Sequence, residues 1–445
     1  MKNLFKAHQT TVSRRQFLAA AGCCGGAAAL SSCAVNPVTG QNQFMFYSKQ
    51  EEIAMDQQRA PYQFSSDYGV YQNDAINRYI AGVGQKIAKI SHRPDMSYSF
   101  RAVNANYVNA YAFPGGSIAL TRGILVRMGS EAELAALLGH EVGHVTARHT
   151  SSRMSKGTLL NGAVVLGSVL LQGAGYDGLA QPAQQLGGLG SQLLLADYSR
   201  DDERQSDDLG MEYMVKAGYN PQGMVDLTEL LLSMQEGATE AAQSLFASHP
   251  MSSERNTTAI RELNQNYAQY KSLPMYRERF MDNMAPLMRI KSAVIDFGNA
   301  TMALAQQNAT EAESLAERGL RVSPNDYSGL LILSQAEMSQ NKWNEAESHL
   351  AQAQRAYPQE AQSYFLTAIA KLEMKKPDEA IEQLKGYDSK LPGNPYVLFY
   401  AGYAYEIKGS KEAAAQQYRQ FLQSVASGQH AEYAYGRLVE WGYIQ

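Results

Sequence analysis

The sequence predicts an α+β domain followed by an all-α solenoid. Three observations carry that reading. Between residues 74 and 149 a helical apolar pattern gives way to alternating segments and then to a second helical pattern. In the last third, Glu-Ala pairs recur at Glu311-Ala312, Glu345-Ala346, Glu379-Ala380 and Glu412-Ala413, at intervals of 34, 34 and 33 residues. At 445 residues the chain also exceeds one ordinary domain, so more than one core is expected.

Hydrophobic residues make up 45% and charged residues 18%, the balance of a globular protein, and a net charge of -4 gives no electrostatic reason to expect nucleic acid. Residues 1–32 read as an export signal. Basic residues precede an apolar run from Phe17 to Leu30 that is too short to favour a spanning helix. "SRRQFL" at 13–18 resembles a twin-arginine signal, and "LSSC" at 30–33 resembles a bacterial lipobox in which Cys33 becomes the lipidated first residue. With Ala34 after that cysteine, the expectation is a periplasmic protein held on a membrane, the outer before the inner. Cleavage would leave Cys33 as the one cysteine, with no disulfide partner in the chain, and would move the formal charge from -4 to -8.

Residues 33–59 are polar and rich in turn formers at their start, and are expected to be a tether. A domain is expected over 60–270. Ile76, Ile80, Val83, Ile87 and Ile90 mark one face of a helix, "YSFRAVN" and "SIALT" alternate as strands around the turn "FPGG", and 131–149 reads as a helix burying Leu134, Leu137, Leu138, Val142 and Val145. From Gly157 to Ala196 the chain holds nine glycines and a single charge, Asp177. This segment reads as a buried helical hairpin, or as a lid or a membrane- or partner-contacting hairpin beside the site. A connecting helix is expected over 271–292 and the solenoid over 293–445. Pro324, Pro358 and Pro392 follow the first three repeat alanines by twelve residues, and Ala300, Ser334, Ala368 and Ala401 precede the four alanines by twelve, where paired helices must approach closely. This frame resembles the tetratricopeptide repeat; Val425 replaces the proline in the fourth unit, which suits a terminal repeat before a capping helix.

The chemistry is concentrated in "HEVGH". His140 and His144, four apart on a helix, project together and can hold one metal ion. Glu141 lies about 100° further round, where it can take a proton from an attacking water without competing as a ligand. Two histidines do not complete a catalytic zinc site, so a third ligand is needed. In "SRDDERQSDD" helical phase separates the acids. Glu203 and Asp207 share a stripe with Ala196 and Ser199, while Asp201, Asp202 and Asp208 fall outside it. Glu203 can thus be the ligand and Asp207 the acceptor behind a ligating imidazole.

"HEVGH" followed some sixty residues later by "SRDDERQSD" resembles the gluzincin metallopeptidase family of the CAAX prenyl protease and HtpX type. The whole arrangement is similar to its periplasmic members with C-terminal tetratricopeptide repeats. The resemblance implies a mainly helical zincin-type domain, one zinc per chain on His140, His144 and Glu203, Glu141 as general base and acid, and Asp207 behind the ligands. Ser206 stands where the family usually has alanine. "NAYAFPGGSIALTRGIL" resembles the family strand that receives an extended substrate, through Asn109, Ala110, Tyr111 and Ala112 with Gly116 and Ser117. "SHPMSSER" resembles its His-Pro motif, with His249 either stabilising the oxyanion or binding zinc as a fourth ligand. His149 is expected to point off the ligand face to the surface, and His92, His349 and His430 have no partner in sequence. The implied function is proteolysis of unfolded or misassembled envelope proteins, possible contact with outer-membrane assembly machinery included. The alternative is a repeat-based chaperone or scaffold whose protease site is latent or silent.

Overall fold

The computed structural model describes residues 33–161, 198–236 and 249–444. The export signal and residues 162–196 of the glycine-rich segment therefore lie outside the described residues. Among those described, no helix is long and apolar enough to cross a membrane.

The segment expected to be a tether is folded onto the domain instead. Strands β1 (Cys33–Val35) and β2 (Asn42–Phe44) pair antiparallel. Asn36 closes the turn by accepting from the amides of Val38 and Thr39 at 2.8 and 3.1 Å. Helix α1 (Lys49–Ser66) then starts at a Ser48/Glu51 capping box. Its hydrophobic period is weak because it buries polar groups, Glu52, Asp56, Arg59 and Gln63 among them. Glu52 is fully buried between Arg93 Nη2 at 2.7 Å and Arg148 Nε at 2.8 Å. Ion pairing of this kind leaves no apolar stripe to read.

Helix α2 (Asp74–Ala88) buries Ile76, Ile80, Val83 and Ile87, while Ile90 lies beyond its end and is exposed. A three-stranded sheet follows in the order β3 (Ser99–Val103), β5 (Ser117–Thr121), β4 (Ala110–Ala112). β3 runs parallel and β4 antiparallel to the central β5. One face, with Phe100, Ala102, Ala110, Ala112, Ile118 and Leu120, joins the main core; the other, with Val103, Tyr111, Phe113 and Ala119, meets Ala60 and Phe64 of α1. After the short α3 (Arg122–Leu125) comes α4 (Glu131–Ala147), buried on every side and capped by Ser130. α5 (His149–Asn161), α6 (Arg200–Lys216), α7 (Gln222–Glu236) and α8 (Ser253–Gln265) pack around it. The expected connecting helix is α9 (Arg277–Met288); Phe280, Met284 and Leu287 enter the same core, and Arg279 pairs with buried Glu131 at the head of α4.

The solenoid is built of hairpins α10 (Lys291–Ala305)/α11 (Ala309–Val322), α12 (Tyr327–Ser339)/α13 (Trp343–Ala356), α14 (Gln362–Glu373)/α15 (Pro377–Asp388) and α16 (Pro395–Ile407)/α17 (Lys411–Ser424), with α18 (Gln429–Glu440) after them. Within each hairpin the turn uses a left-handed residue, Gln307, Asn341, Lys375 and Gly409, an even spacing of 34. This frame corrects the fourth unit by one residue. Ala312, Ala346 and Ala380 are fully buried, and their fourth counterpart is Ala414, not Ala413. The small residue opposite is Gly402 rather than Ala401, because a Cβ on Gly402 would stand 2.7 Å from the Tyr418 ring.

Candidate metal centre

Two helices carry the centre, and small residues let their backbones touch. A Cβ on Gly139 of α4 would lie 2.8 Å from the carbonyl oxygen of Gly210 on α6, and one on Gly143 would lie 3.1 Å from Ser206 Cα. Ser206, fully buried, therefore does the spacing work of an alanine. This close crossing brings Glu203 against the face that carries His140 and His144.

The structure brings His140, His144, Glu203 and His249 together in one buried group with ligand atoms within 4.8 Å of one another. His140 Nε2 lies 3.0 Å from His144 Nε2 and 3.6 Å from Glu203 Oε2, and His144 Nε2 lies 3.3 Å from Glu203 Oε1. Tetrahedral zinc about 2.0–2.1 Å from each donor separates neighbouring donors by roughly 3.3 Å, so these spacings fit a zinc ion. Glu141, 1% exposed, has its Oε2 buried with no hydrogen-bond partner, and so does Nε2 of His249. Buried polar atoms left without partners are costly, and a nitrogen pair facing across 3.0 Å is served by a cation between them.

Behind the donors, His140 Nδ1 donates to Asp207 Oδ1 at 2.9 Å, which turns Nε2 toward the cluster. Arg255 donates to both Asp207 oxygens at 2.7 Å, and its Nη1 reaches Glu203 Oε2 at 2.6 Å. Burial would raise Glu203, but His249, Arg255 and His140 hold it well below the usual carboxylate range. Burial would depress His140, yet Glu203 and Asp207 outweigh it and the imidazole sits above its ordinary value. Burial pushes His144 well down, so it offers a neutral nitrogen. Glu141 is raised by burial, which His249 and His140 offset only in part.

His249 presents Nδ1 to the cluster, 3.0 Å from Glu203 Oε1 and 3.4 Å from His140 Nε2, with Nε2 3.9 Å from Glu141 Oε1. His149 is a correction: it is 4% exposed, with Nδ1 3.0 Å from His144 Nδ1 and Nε2 2.9 Å from Gln205 Oε1. The expectation assumed one continuous helix, whereas Arg148 takes a left-handed conformation (φ 62°) and turns the next residue back onto His144. Two other neighbours were given no role by the sequence reading. Arg255 had a signal, the arginine that follows the His-Pro pair; Tyr198, stacked on the His144 ring with centroids 3.8 Å apart, had none.

Of the expected substrate residues, β4 lies at the sheet edge. Thr121 N donates to Asn109 O and Phe113 N to Ser117 O, so in the antiparallel ladder Asn109, Tyr111 and Phe113 face β5, while the backbone groups of Ala110 and Ala112 point away from it. Ala112 and His144 line one cleft. Gly116 and Ser117 do not join this edge. Gly116 bonds through its N–H to Phe113 and through its carbonyl to Ser99, and Ser117 N donates to Asp56 at 2.8 Å within the central strand.

Residues 74–263 match the family described as peptidase family M48, residues 365–430 match a tetratricopeptide repeat family, and residues 305–387 match the family described as anaphase-promoting complex, cyclosome, subunit 3. The chain is 24% identical over 347 residues to the beta-barrel assembly-enhancing protease of Yersinia pestis, covering 72% of this chain and 70% of that one. It is 24% identical over 301 residues to the protein of the same name from Escherichia coli strain K12, covering 62% of this chain and 61% of that relative's length. Metalloprotease YcaL of Escherichia coli strain K12 is 31% identical over 177 residues, 39% of this chain and 66% of that protein. With the histidine–glutamate cluster set on the crossing of α4 and α6, residues 74–263 belong to peptidase family M48, and the chain is a metallopeptidase with tetratricopeptide repeats behind its catalytic domain.

Proposed function

We propose that the chain is a zinc-dependent endopeptidase of the bacterial cell envelope that cuts unfolded or unassembled envelope proteins, with its repeats docking clients or partners. The observation that carries this reading is the convergence of His140, His144 and Glu203 beside a buried Glu141. The names of the relatives support an envelope setting. The lipobox supports attachment of Cys33 to a membrane, the outer one by the residue that follows it.

His140, His144 and Glu203 would hold one zinc ion. Bound there, zinc supplies Lewis acidity toward a scissile carbonyl and an attacking water. Glu141 takes the proton of that water on a carboxylate oxygen and delivers it to the leaving amine nitrogen. Asp207 and Arg255 keep His140 and Glu203 oriented. Ala112 offers its outward backbone groups and Ala110 its outward carbonyl to an extended peptide, which adds as a further strand next to the site, while the Ala110 amide already donates to Asn109 Oδ1 at 3.0 Å. Of the two roles open to His249, its Nδ1 spacing supports a fourth ligand that closes the site until it is displaced.

That closure also favours a second reading, a repeat scaffold whose protease is silent. Zinc content and cleavage of unfolded casein by wild type, Glu141→Gln and His249→Ala separate the two. One zinc per chain, cleavage lost in Glu141→Gln and increased in His249→Ala is the expected result. A protein without zinc sinks the metalloenzyme, and a zinc-loaded protein inert both as wild type and as His249→Ala leaves the scaffold.

A further inference from the structure

The strand that would receive a peptide is held from behind by a carboxylate with no ion-pair partner among the described residues. Tyr111, central in β4, turns its side chain to the sheet face opposite Ala110 and Ala112, and its hydroxyl donates to Asp67 Oδ2. Tyr107, in the loop before β4, donates to Asp67 Oδ1 at 2.6 Å, and Gln63 Nε2 donates to Oδ2 at 3.1 Å. Asp67 is 3% exposed, and these three donors are neutral. A buried carboxylate in such a setting depends on every bond it makes, so the two tyrosines and the acid fix one another's positions.

Asp67 is itself placed by the repeats. It caps the C-terminus of α1, and the last turn of that helix is clasped by the second and third hairpins. Ser65 Oγ donates to Glu360 Oε1, Gln362 Nε2 donates to the Ser65 carbonyl at 2.6 Å, and Tyr62 donates to the carbonyl of Pro392. Gly69, left-handed at φ 80°, sits so close to the repeats that a Cβ there would lie 2.6 Å from Glu360 Cγ and 2.8 Å from Tyr357 Cε1. The loop that leads into β4 is held as well: Asn106 Nδ2 donates to Ser328 Oγ at 2.9 Å. Residues 106–111, which lead into and form the edge strand, are therefore gripped by the repeat domain directly at Asn106 and through α1 at Tyr107 and Tyr111.

We propose that Asp67 is a positioning residue for peptide binding, and that the docked repeat domain, by holding Asp67 and Asn106, sets the affinity of the β4 edge for an extended substrate. A partner that loosens the clasp on Ser65 weakens capture of peptide without touching the metal ligands. This rests on the reading that β4 accepts the substrate backbone.

The test is steady-state cleavage of unfolded casein by the full-length zinc-loaded protein, in the His249→Ala background should wild type be slow, with kcat and KM resolved and zinc measured for each variant. Asp67→Ala is expected to raise KM roughly tenfold with kcat within about twofold and zinc unchanged. Asp67→Asn, which keeps an acceptor for one tyrosine, should fall between. Gln362→Ala, in the repeats and remote from any bound peptide, should raise KM several-fold at an unchanged melting temperature, a shift that a merely structural role does not produce. Ala112→Pro removes an outward amide at the strand edge without breaking the ladder to β5, and should raise KM by itself. If Ala112→Pro raises KM while Gln362→Ala and Asp67→Ala match the parent, the coupling is wrong and the strand reading stands. If Ala112→Pro has no effect, the strand reading fails and takes the proposal with it.

Discussion

At the scale of single residues, the centre depends on Arg255 as much as on the donors that define it. Its guanidinium, 7% exposed, joins Glu203 and Asp207, so removing it leaves the fully buried Glu203 and the largely buried Asp207 without the cation they share. Arg255→Ala is expected to weaken zinc binding about 10- to 100-fold, read by competition against a chelator of known affinity. An affinity equal to the parent would show that Asp207 alone orients the ligands. His140, Glu141, His144, Glu203 and Asp207 were legible because helical phase fixes which side chains share a face. His149 was not, since an arginine in the left-handed region leaves no mark of the kind that glycine leaves. His249 could be singled out only by its motif, because its position against Glu203 is a matter of how α8 is entered.

Among the elements, the solenoid repeats more faithfully in its backbone than in its residues. Left-handed turns fall every 34 residues, but only the fourth carries glycine, so the sequence frame had to rest on alanines and prolines. That frame slipped by one at Glu412-Ala413 because the run Ala413-Ala414-Ala415 offers three candidates, and the 34-residue period together with burial selects the middle one. The last helix carries its own titration. His430 packs against Phe399 with ring centroids 4.4 Å apart and lies 3.4 Å from the Tyr400 hydroxyl, and burial pushes its imidazole down to about 4. The unfolded chain, with an ordinary histidine, takes up a proton that the fold refuses. Stability from this residue is thus complete above about 6.5 and is lost as pH falls toward 4. Melting temperature against pH should decline through that window, and the decline should flatten in His430→Met. An unchanged slope would place the proton elsewhere. The α1 helix was illegible for a related reason, since a helix that buries Glu52, Asp56 and Arg59 carries its folding information in ion pairs.

Across the whole molecule, the two domains are joined by a buried ion pair that no local pattern announces, because its partners are 204 residues apart. Arg122, 1% exposed, donates to both oxygens of Asp326 at 2.6 and 3.1 Å and also to Asn106 and Ser328. Arg122→Leu, which strands Asp326 in the interface, is expected to cost about 3–5 kcal/mol in urea unfolding, and Arg122→Leu with Asp326→Leu should recover most of it. A double variant no better than the single would mean that Asn106 and Ser328 carry the junction. The other end of the molecule has a bearing on reach. Asn36, three residues after Cys33, donates through Nδ2 to the carbonyl of Ala147 at the end of the helix that carries the histidines, at 3.5 Å. Three residues span at most about 10 Å. Were Cys33 lipidated as proposed, that anchor would have almost no slack: the helix bearing His140 and His144 would travel at fixed height, and the territory it could patrol would be a thin layer rather than a sphere.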